Sequence, residues 1–496
     1  MNITGAATNK VQHGEFPSVS KSFIESEIIP ELQQWSLCNG LVLTSNDGNG
    51  NVAKVAPTTV FPTPIPRKAF EQAKLLQKSF NQLYAQISNS EWLVEELEQL
   101  AAVDPEFTGK LFKLFKEYTL KSKQTTKFGI FRSDYLVDRK SQSIKQVEFN
   151  TVSVSFPGLS SKVGELHSFL NAMGKYDNKG DPFYQAGELH VSESIVFVVR
   201  GIASAMNLYQ VDTSNKVREQ DDKIVLFVVE ENESNLYDQK LIEYNLLKIY
   251  GINSVRCPFK DIKTHFEYST ENKRLIHKTT NREVGVVYYR TGYDLADYID
   301  TSAWETRGFL EESYAIKAPD LSIQLAGAKK IQQSLTRESI ISKYVDDSIV
   351  KKQLMETFVK IYPLDDSSEG LKGQKLVMET PENYVLKPQR EGGGHNVYKK
   401  DIPEFLNKLP KEQWKAYILM EIIDTASRKE NYIVRDGKLS SEPIISELGI
   451  YGTIVFDKNH ISKNDYSGSL LRSKLMTSNE GGVVAGYGCI DSMYLF

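Results

Sequence analysis

Cysteine is scarce in this chain. Cys38, Cys257 and Cys489 are the only three in 496 residues. They form no CxxC pair and no even set, so a disulfide framework is not expected and a reducing cytosol is. Seven histidines show no HxxxH or HExxH spacing, so a zinc site is not expected either. No apolar run is long enough to span a bilayer. Residues 1–20 lack the apolar stretch of a signal peptide and read as a polar, disordered tail. Charge of one sign is also missing: 60 Lys and Arg against 64 Asp and Glu leave −4. That implies no bulk attraction to nucleic acid or membrane. No repeat and no low-complexity segment is present.

What remains is an ordinary globular composition, 40% apolar and 25% charged, at a length that divides into two or three domains. Apolar residues at helical spacing begin at Lys21, with Pro30 predicting a kink or break. GxGxxA at Gly48–Ala53 opens no helix, because Pro57, Pro62, Pro64 and Pro66 follow; an irregular loop is the reading. Arg67–Ser88 is an amphipathic helix with Phe70, Ala73, Leu75, Phe80, Leu83 and Ile87 on its apolar face. Two more helices follow, over Ser90–Val103 and Glu106–Lys121.

The period then changes. Phe128–Val137 and Ile144–Ser155 read as strands joined by a polar turn. Lys223–Glu231 is a near-continuous apolar run, as in a strand covered on both faces. A helix, further strands at Ile252–Cys257 and Gly285–Arg290, and helices over Trp304–Ala315 and Leu321–Leu335 complete a smaller α/β unit at 221–335. Beyond it come a strand at Ala416–Ile423 and a hairpin turning at Asp436-Gly437, whose second strand follows Pro443.

Three consecutive glycines, Gly392, Gly393 and Gly394, follow the strand Tyr384–Lys387 and Pro388. Such a run costs a helix or strand about 0.5–1 kcal/mol per glycine relative to Ala. It offers bare N–H groups that approach an anion closely. Lys387 suits a phosphate charge and Glu391 the Mg²⁺ that travels with it. A flexible surface turn is the plain alternative; the flanking Lys, Glu and Asn favour a nucleotide lid.

Glu148 and Asn150, two apart on a strand, leave the same face and suit a hard cation; an exposed strand face is the alternative. Ser153 and Ser155 have the opposite parity, unless the strand ends or bulges near Thr151. Arg132, Arg290 and Arg472 interrupt or end patterned segments. Together they suggest a substrate with several carboxylates, although for any single one a surface ion pair is the better reading. Lys329-Lys330 falls inside the helix Leu321–Leu335, where a solvated face is the default. Met420–Ile423 either presents main-chain groups to an adenine edge or is core strand. A second glycine-rich stretch, Glu480–Gly488, lacks the Lys-Ser/Thr of a P-loop.

Several long segments resemble one family. FRSDYL at 131–136, KQVEFNTVSVSF at 145–156, YYRTGY at 288–293, KKIQQ at 329–333, KPQREGGGHNVY at 387–398, ISELGIYG at 445–452 and GSLLRSK at 468–474 are similar to eukaryotic glutathione synthetases of the fungal type, within the ATP-grasp superfamily. The resemblance runs from about residue 21 to the end. It implies an α/β (α+β) ATP-grasp fold of permuted order, a cytoplasmic homodimer and two Mg²⁺ per site. The ATP-grasp body with its lid would span 21–220 and 336–496, and the substrate domain 221–335. The implied reaction joins γ-glutamylcysteine and glycine at the expense of ATP; another carboxylate–amine ligase on the same fold is the alternative.

Position by position, the resemblance implies metal ligation by Glu148, Asn150 and Glu391. It implies ATP contacts at Glu148, Lys329, Lys387, Gly392, Gly393, Gly394, Asn396, Tyr398, Met420, Glu421, Ile422, Ile423, Glu447, Lys474 and Glu480. Substrate contacts are implied at Arg132, Val152, Ser153, Val154, Ser155, Glu233, Ser234, Asn235, Gln239, Arg290, Tyr293, Arg472, Val483 and Val484. Arg132, Arg472 and Lys387 take catalytic roles. The chain departs from the family's pattern at His395 (commonly Asn), Ser234 (commonly basic) and Val484 (often Ala).

Overall fold

The structure, a computed structural model, describes residues 16–45, 50–177, 179–209, 223–269, 272–389, 395–425, 430–479 and 481–496. Its spine is a seven-stranded sheet in the order Glu430–Arg435, Thr58–Thr59, Gly488–Asp491, Ile461–Leu475, Lys438–Phe456, Lys127–Val137, Ile144–Asn150. Glu430–Arg435 also pairs with the start of Lys438–Phe456, so the first five strands close a circuit. The hairpin between those two strands turns at Asp436 and Gly437, at φ of 49° and 73°. Positive φ at both centres matches the twist of the flanking strands. The turn is where the sequence puts it, but the second strand starts at Lys438, not after Pro443. Pro443 lies opposite Glu430 at the end of that ladder, where a missing N–H is tolerated.

Arg67–Ser88 forms one helix over its expected span and lies against the two longest strands. Its buried face carries Phe70, Ala73, Leu76, Phe80, Leu83 and Ile87, and Leu75 is exposed. Leu75 is two positions, or about 200°, from Ala73, so Leu76 takes the inward place. The break expected at Pro30 is a π-helical turn, Ile24–Ile28, after which the helix resumes with Pro30 in its first turn. The wider turn just before it accommodates its ring and missing N–H within a helix already under way. Ser20 caps the start of this segment and Phe16 packs on Phe61; residues 1–15 of the polar tail lie outside the described residues. The Ala53–Val55 strand pairs with Val42–Thr44 in place of a wholly irregular loop. Helices Pro157–Ala172 and Ser194–Leu208, which the strand-centred reading passed over, show their own apolar spacing in Leu159, Val163, Leu166 and Leu170, and in Val198, Ile202 and Ala205.

In a second sheet Lys223–Val229 lies between two parallel neighbours, the edge strand Asn253–Pro258 on one side and Arg282–Tyr289 on the other. All but the first residue of Lys223–Val229 are buried, as its apolar run predicts. The helix expected over Leu321–Leu335 is two helices, Leu321–Ala326 and Lys329–Leu335. Gly327 at the break lies so close to Thr151 that a Cβ there would meet its Oγ1 at 2.3 Å. A third sheet, in the order Ile361–Pro363, Tyr417–Glu421, Tyr384–Pro388, Val397–Tyr398, has its own core around Tyr362, Leu386, Trp414 and Leu419.

Candidate functional site

Four adjacent strands of the large sheet carry a row of charged side chains on one face. Period-2 alternation sends Glu148 and Asn150 to the same side. The ladder sets Asn150 opposite Arg132 and Glu148 opposite Asp134. The next strand sets Tyr451 opposite Arg132 and Gly449 opposite Asp134, and Glu447 faces Arg472 one strand further. Asp134 Oδ1 accepts from Arg132 Nε at 2.7 Å, and Oδ2 from a terminal nitrogen of Arg132 at 2.8 Å. Oδ2 also accepts from Asn150 Nδ2 at 2.9 Å and from Arg472 at 3.1 Å. Arg472 donates to Glu447 as well. Burial pushes the Glu447 carboxyl up, against the pull of Arg472.

Two lysines close over the row. Lys329 Nζ donates to Glu148 Oε2 at 2.9 Å, and Lys387 Nζ donates to the Val147 carbonyl at 3.0 Å. Both lysines are buried, so the solvated helix face expected for Lys329 is not what forms. The helix break at Gly327 turns Lys329 into the first residue of a separate helix, facing the sheet. Burial alone would raise the Glu148 carboxyl, but Lys329 and Lys387 hold it well below the usual carboxylate range. Burial lowers Lys387, with Glu148 opposing.

The strand carrying Glu148 ends at Asn150, not Ser155. Ser153 and Phe156 sit at φ of 50° and 75°, left-handed backbone that the surroundings must hold. They do so from both sheets. Arg290 donates to the Val154 carbonyl at 2.8 Å and to Ser155 Oγ at 2.7 Å. Tyr451 OH donates to the Ser155 carbonyl at 2.6 Å, and Ser153 Oγ to the Tyr289 carbonyl at 3.2 Å. Asp238, buried, accepts from the N–H groups of Phe156, Gly158 and Leu159 at 2.8–3.1 Å. The Val152 and Val154 side chains are buried, so this segment offers backbone and serine hydroxyls to a ligand.

Beside it, Glu233 accepts from the Asn235 N–H at 2.7 Å and from the Gln239 amide. The Ser234 carbonyl accepts from the Thr44 N–H at 3.1 Å. Tyr293 OH donates to Glu230 at 3.4 Å. Burial first, then the charges of Glu233 and Asp297, push Glu230 up to about 7. Sequence reasoning missed Asp134, Asp238 and Glu230. Asp134 alone had a local signal, since it shares the parity of Arg132 on the same strand.

Among the remaining expected residues, Met420 and Ile423 are core, and the N–H groups of Glu421 and Ile422 already donate to the Lys360 and Asn383 carbonyls. Asn396 Nδ2 reaches Tyr398 OH at 3.5 Å. Lys474 Nζ donates to the Asn479 carbonyl at 2.6 Å. Gly482 O accepts from both Tyr487 and Gly488, closing that stretch into a compact loop with Val483 buried and Val484 46% exposed. Glu391, Gly392, Gly393, Gly394 and Glu480 lie outside the described residues. Among the described residues no three His, Cys, Asp or Glu cluster as metal ligands; Glu148 and Asn150 supply two hard oxygen donors. A cavity of about 720 Å³ lies apart from the row, lined in part by Asp294, Pro388, Gln389 and His395, with His395 Nε2 3.6 Å from Asp294.

Under the row, on the other face, Asp491 is buried and accepts from Thr59 Oγ1 and Thr63 Oγ1 at 2.6 Å and from Ser473 Oγ at 2.5 Å. It ties the strand of Arg472, through Ser473, to Thr59 and Thr63 near the start of the chain. Burial pushes its carboxyl up to about 6, against those hydroxyls.

The family model described as eukaryotic glutathione synthase, ATP binding domain, matches residues 23–495. The glutathione synthetase large chain of Schizosaccharomyces pombe is 39% identical over 487 residues, covering 93% of this chain and 96% of that one. Human glutathione synthetase is 33% identical, with 92% and 94% covered. The chloroplastic glutathione synthetase of Solanum lycopersicum is 32% identical, with 97% and 86% covered. A glutathione synthetase-like effector from Globodera pallida superposes with a TM-score of 0.74 at 20% identity, over 97% of this chain and 98% of that chain. The fold is the mixed α/β, ATP-grasp type expected.

Proposed function

The chain belongs to the eukaryotic glutathione synthase family, and from that premise we propose how its own residues make glutathione from γ-glutamylcysteine, glycine and ATP. It is an ATP-dependent carbon–nitrogen ligase. The observation that carries the residue assignments is the row Glu148–Asn150–Arg132–Asp134–Arg472–Glu447 with Lys329 and Lys387 over it.

A carboxylate is a poor electrophile, so the cysteinyl carboxylate first takes the γ-phosphoryl group of ATP, releasing ADP and leaving an acylphosphate. Lys387 and Lys329 offset charge on the transferring group. Glu148 and Asn150, with Glu391, would hold Mg²⁺, which when bound would supply positive charge to offset that of the phosphates. The glycine amine then attacks the acyl carbon, and phosphate leaves with the transferred oxygen. Arg472 holds the glycine carboxylate bidentately, and Arg132 donates to the tetrahedral oxyanion. Arg290 and the 152–155 segment, supported by Asp238, seat the donor. Glu233, Asn235, Gln239 and Tyr293 take its γ-glutamyl end. The compact loop carrying Val483 and Val484 walls the acceptor.

The substrate domain spans 221–335; the strands of the second sheet all fall within it. Two Mg²⁺ per site, a homodimer and a cytoplasmic setting complete the proposal. The cysteines are unpaired, and among the described residues no helix is long and apolar enough to cross a membrane. The deciding experiment follows ADP release with γ-glutamylcysteine and a panel of amines. Strong dependence on both γ-glutamylcysteine and glycine is expected. Equal turnover with an unrelated donor or amine would instead mark another carboxylate–amine ligase.

A further inference from the structure

Asp134 collects more of the site's side chains than any residue assigned a role above. Its two oxygens take Arg132 through two nitrogens, and also Arg472 and Asn150, at 2.7–3.1 Å. It is fully buried, directly opposite Glu148 on one side and Gly449 on the other. An ionised carboxylate only accepts hydrogen bonds. Asn150 must therefore turn its NH₂ towards Asp134, which leaves its carbonyl oxygen on the other branch. The neighbouring strand makes room for this arrangement: a Cβ at Gly449 would lie 2.9 Å from both Arg132 Cδ and Asp134 Oδ1.

We infer that Asp134 is the positioning residue of this site: it turns the Asn150 amide so that its oxygen serves as a hard ligand beside Glu148, and it holds Arg132 and Arg472 side by side, Arg132 for the oxyanion and Arg472 for the glycine carboxylate. The first half rests on the reading that Glu148 and Asn150 take Mg²⁺. Free of Asp134, the Asn150 amide would have no fixed orientation, and the cation itself would have to turn its oxygen into place. Free of their shared counter-ion, the two guanidinium groups would repel one another.

The test titrates Mn²⁺, a spectroscopic stand-in for Mg²⁺, by electron paramagnetic resonance on the full chain with a non-hydrolysable ATP analogue. The proteins are wild type, Asp134→Asn, Asn150→Asp and the double variant. Asn150→Asp by itself swaps an amide for a charged oxygen ligand, which should tighten Mn²⁺ if Asp134 plays no part. Within hydrogen-bond reach of Asp134 it instead sets two carboxylates against each other. Each single variant is expected to weaken Mn²⁺ roughly 10- to 100-fold, as loss of a ligand's orienting partner does. The double variant should recover most of that affinity, because the amide introduced at position 134 donates to the carboxylate introduced at 150. It should not recover the KM for glycine, since the charge between the arginines is gone.

Singles that add in the double variant, or tighter Mn²⁺ binding by Asn150→Asp, would overturn the inference. If Glu148→Gln and Asn150→Ala leave Mn²⁺ binding unchanged, the metal assignment itself fails and takes the inference with it. Should Asp134→Asn not fold, Gly449→Ala reads the same geometry with Asp134 in place. Its methyl wedges against the Arg132–Asp134 pair, and Mn²⁺ binding should weaken several-fold; unchanged affinity counts against the inference.

Discussion

Lys329 Nζ and Glu148 Oε2 lie 2.9 Å apart although 181 positions separate them in the chain. Lys329 is 5% exposed and the Glu148 side chain 26%, so the pair is partly buried and breaking it leaves a charge in poorly solvated surroundings. The pair keeps Glu148 ionised at every physiological pH, which is the state a hard cation requires.

Lys329→Met keeps the buried stem and removes the charge. The Glu148 carboxyl then loses its strongest depressing neighbour and should titrate higher than in wild type. The expected outcome is a fall of about a hundredfold or more in kcat, with Mg²⁺ affinity lost at a higher pH than in wild type. A turnover-against-pH series at several Mg²⁺ concentrations measures both. A wild-type-like Mg²⁺ dependence at every pH of the series would contradict the role of the pair.

Activation of the donor through an acylphosphate is tested by isotope. γ-Glutamylcysteine labelled with ¹⁸O in its cysteinyl carboxylate should pass one label to the released phosphate. Mass spectrometry of that phosphate reads the result; unlabelled phosphate would mean the carboxylate is not activated this way.

Val484 and Arg472 separate fit from charge in the acceptor site. Val484 is 46% exposed, so Val484→Ala should leave thermal stability nearly unchanged. It should relax the preference for glycine over alanine, serine and β-alanine. A misfit of one methylene is worth about 1–3 kcal/mol, so that preference should be roughly tenfold to a few hundredfold in kcat/KM. Arg472→Lys should weaken every amine alike, because a point charge loses the bidentate grip. An unchanged ranking in Val484→Ala would remove this wall from the acceptor site.

Asp491 gives a stability prediction with a definite sign. Its folded carboxyl sits at about 6 against an ordinary 3.8, so the folded state holds its proton more tightly than the unfolded chain. The stability it contributes is therefore complete below pH 3.8 and lost as pH rises through about 6. The loss is of the order of 3 kcal/mol. Urea denaturation of wild type and Asp491→Asn across pH 4–8 should show that descending segment in wild type and a flatter one in the variant. Parallel curves would mean that Asp491 does not titrate in this window.

Parity along a strand is a local property, and it was enough to pair Glu148 with Asn150 and to doubt that the strand reached Ser155. Apolar period was enough for the Arg67–Ser88 helix and the buried strand Lys223–Val229. A long family resemblance carried the fold and the reaction, because motifs such as KPQREGGGHNVY hold their residues in order along the chain. What local pattern could not express was which distant elements meet. Leu321–Leu335 has an unbroken helical period, yet the approach of Gly327 to Thr151 splits it and turns Lys329 from a solvated face to Glu148. Asp238 reads as one more acid near a helix start until the fold lays the N–H groups of Phe156, Gly158 and Leu159 against it. Asp134 is a polar residue on a strand until register puts Arg132, Asn150 and Arg472 around it. By itself the sequence determined the elements, their faces and the chemistry to expect, since those follow from neighbours a few residues apart. Only the tertiary structure decided which charges share a buried counter-ion, because desolvation and register act between strands far apart in the chain.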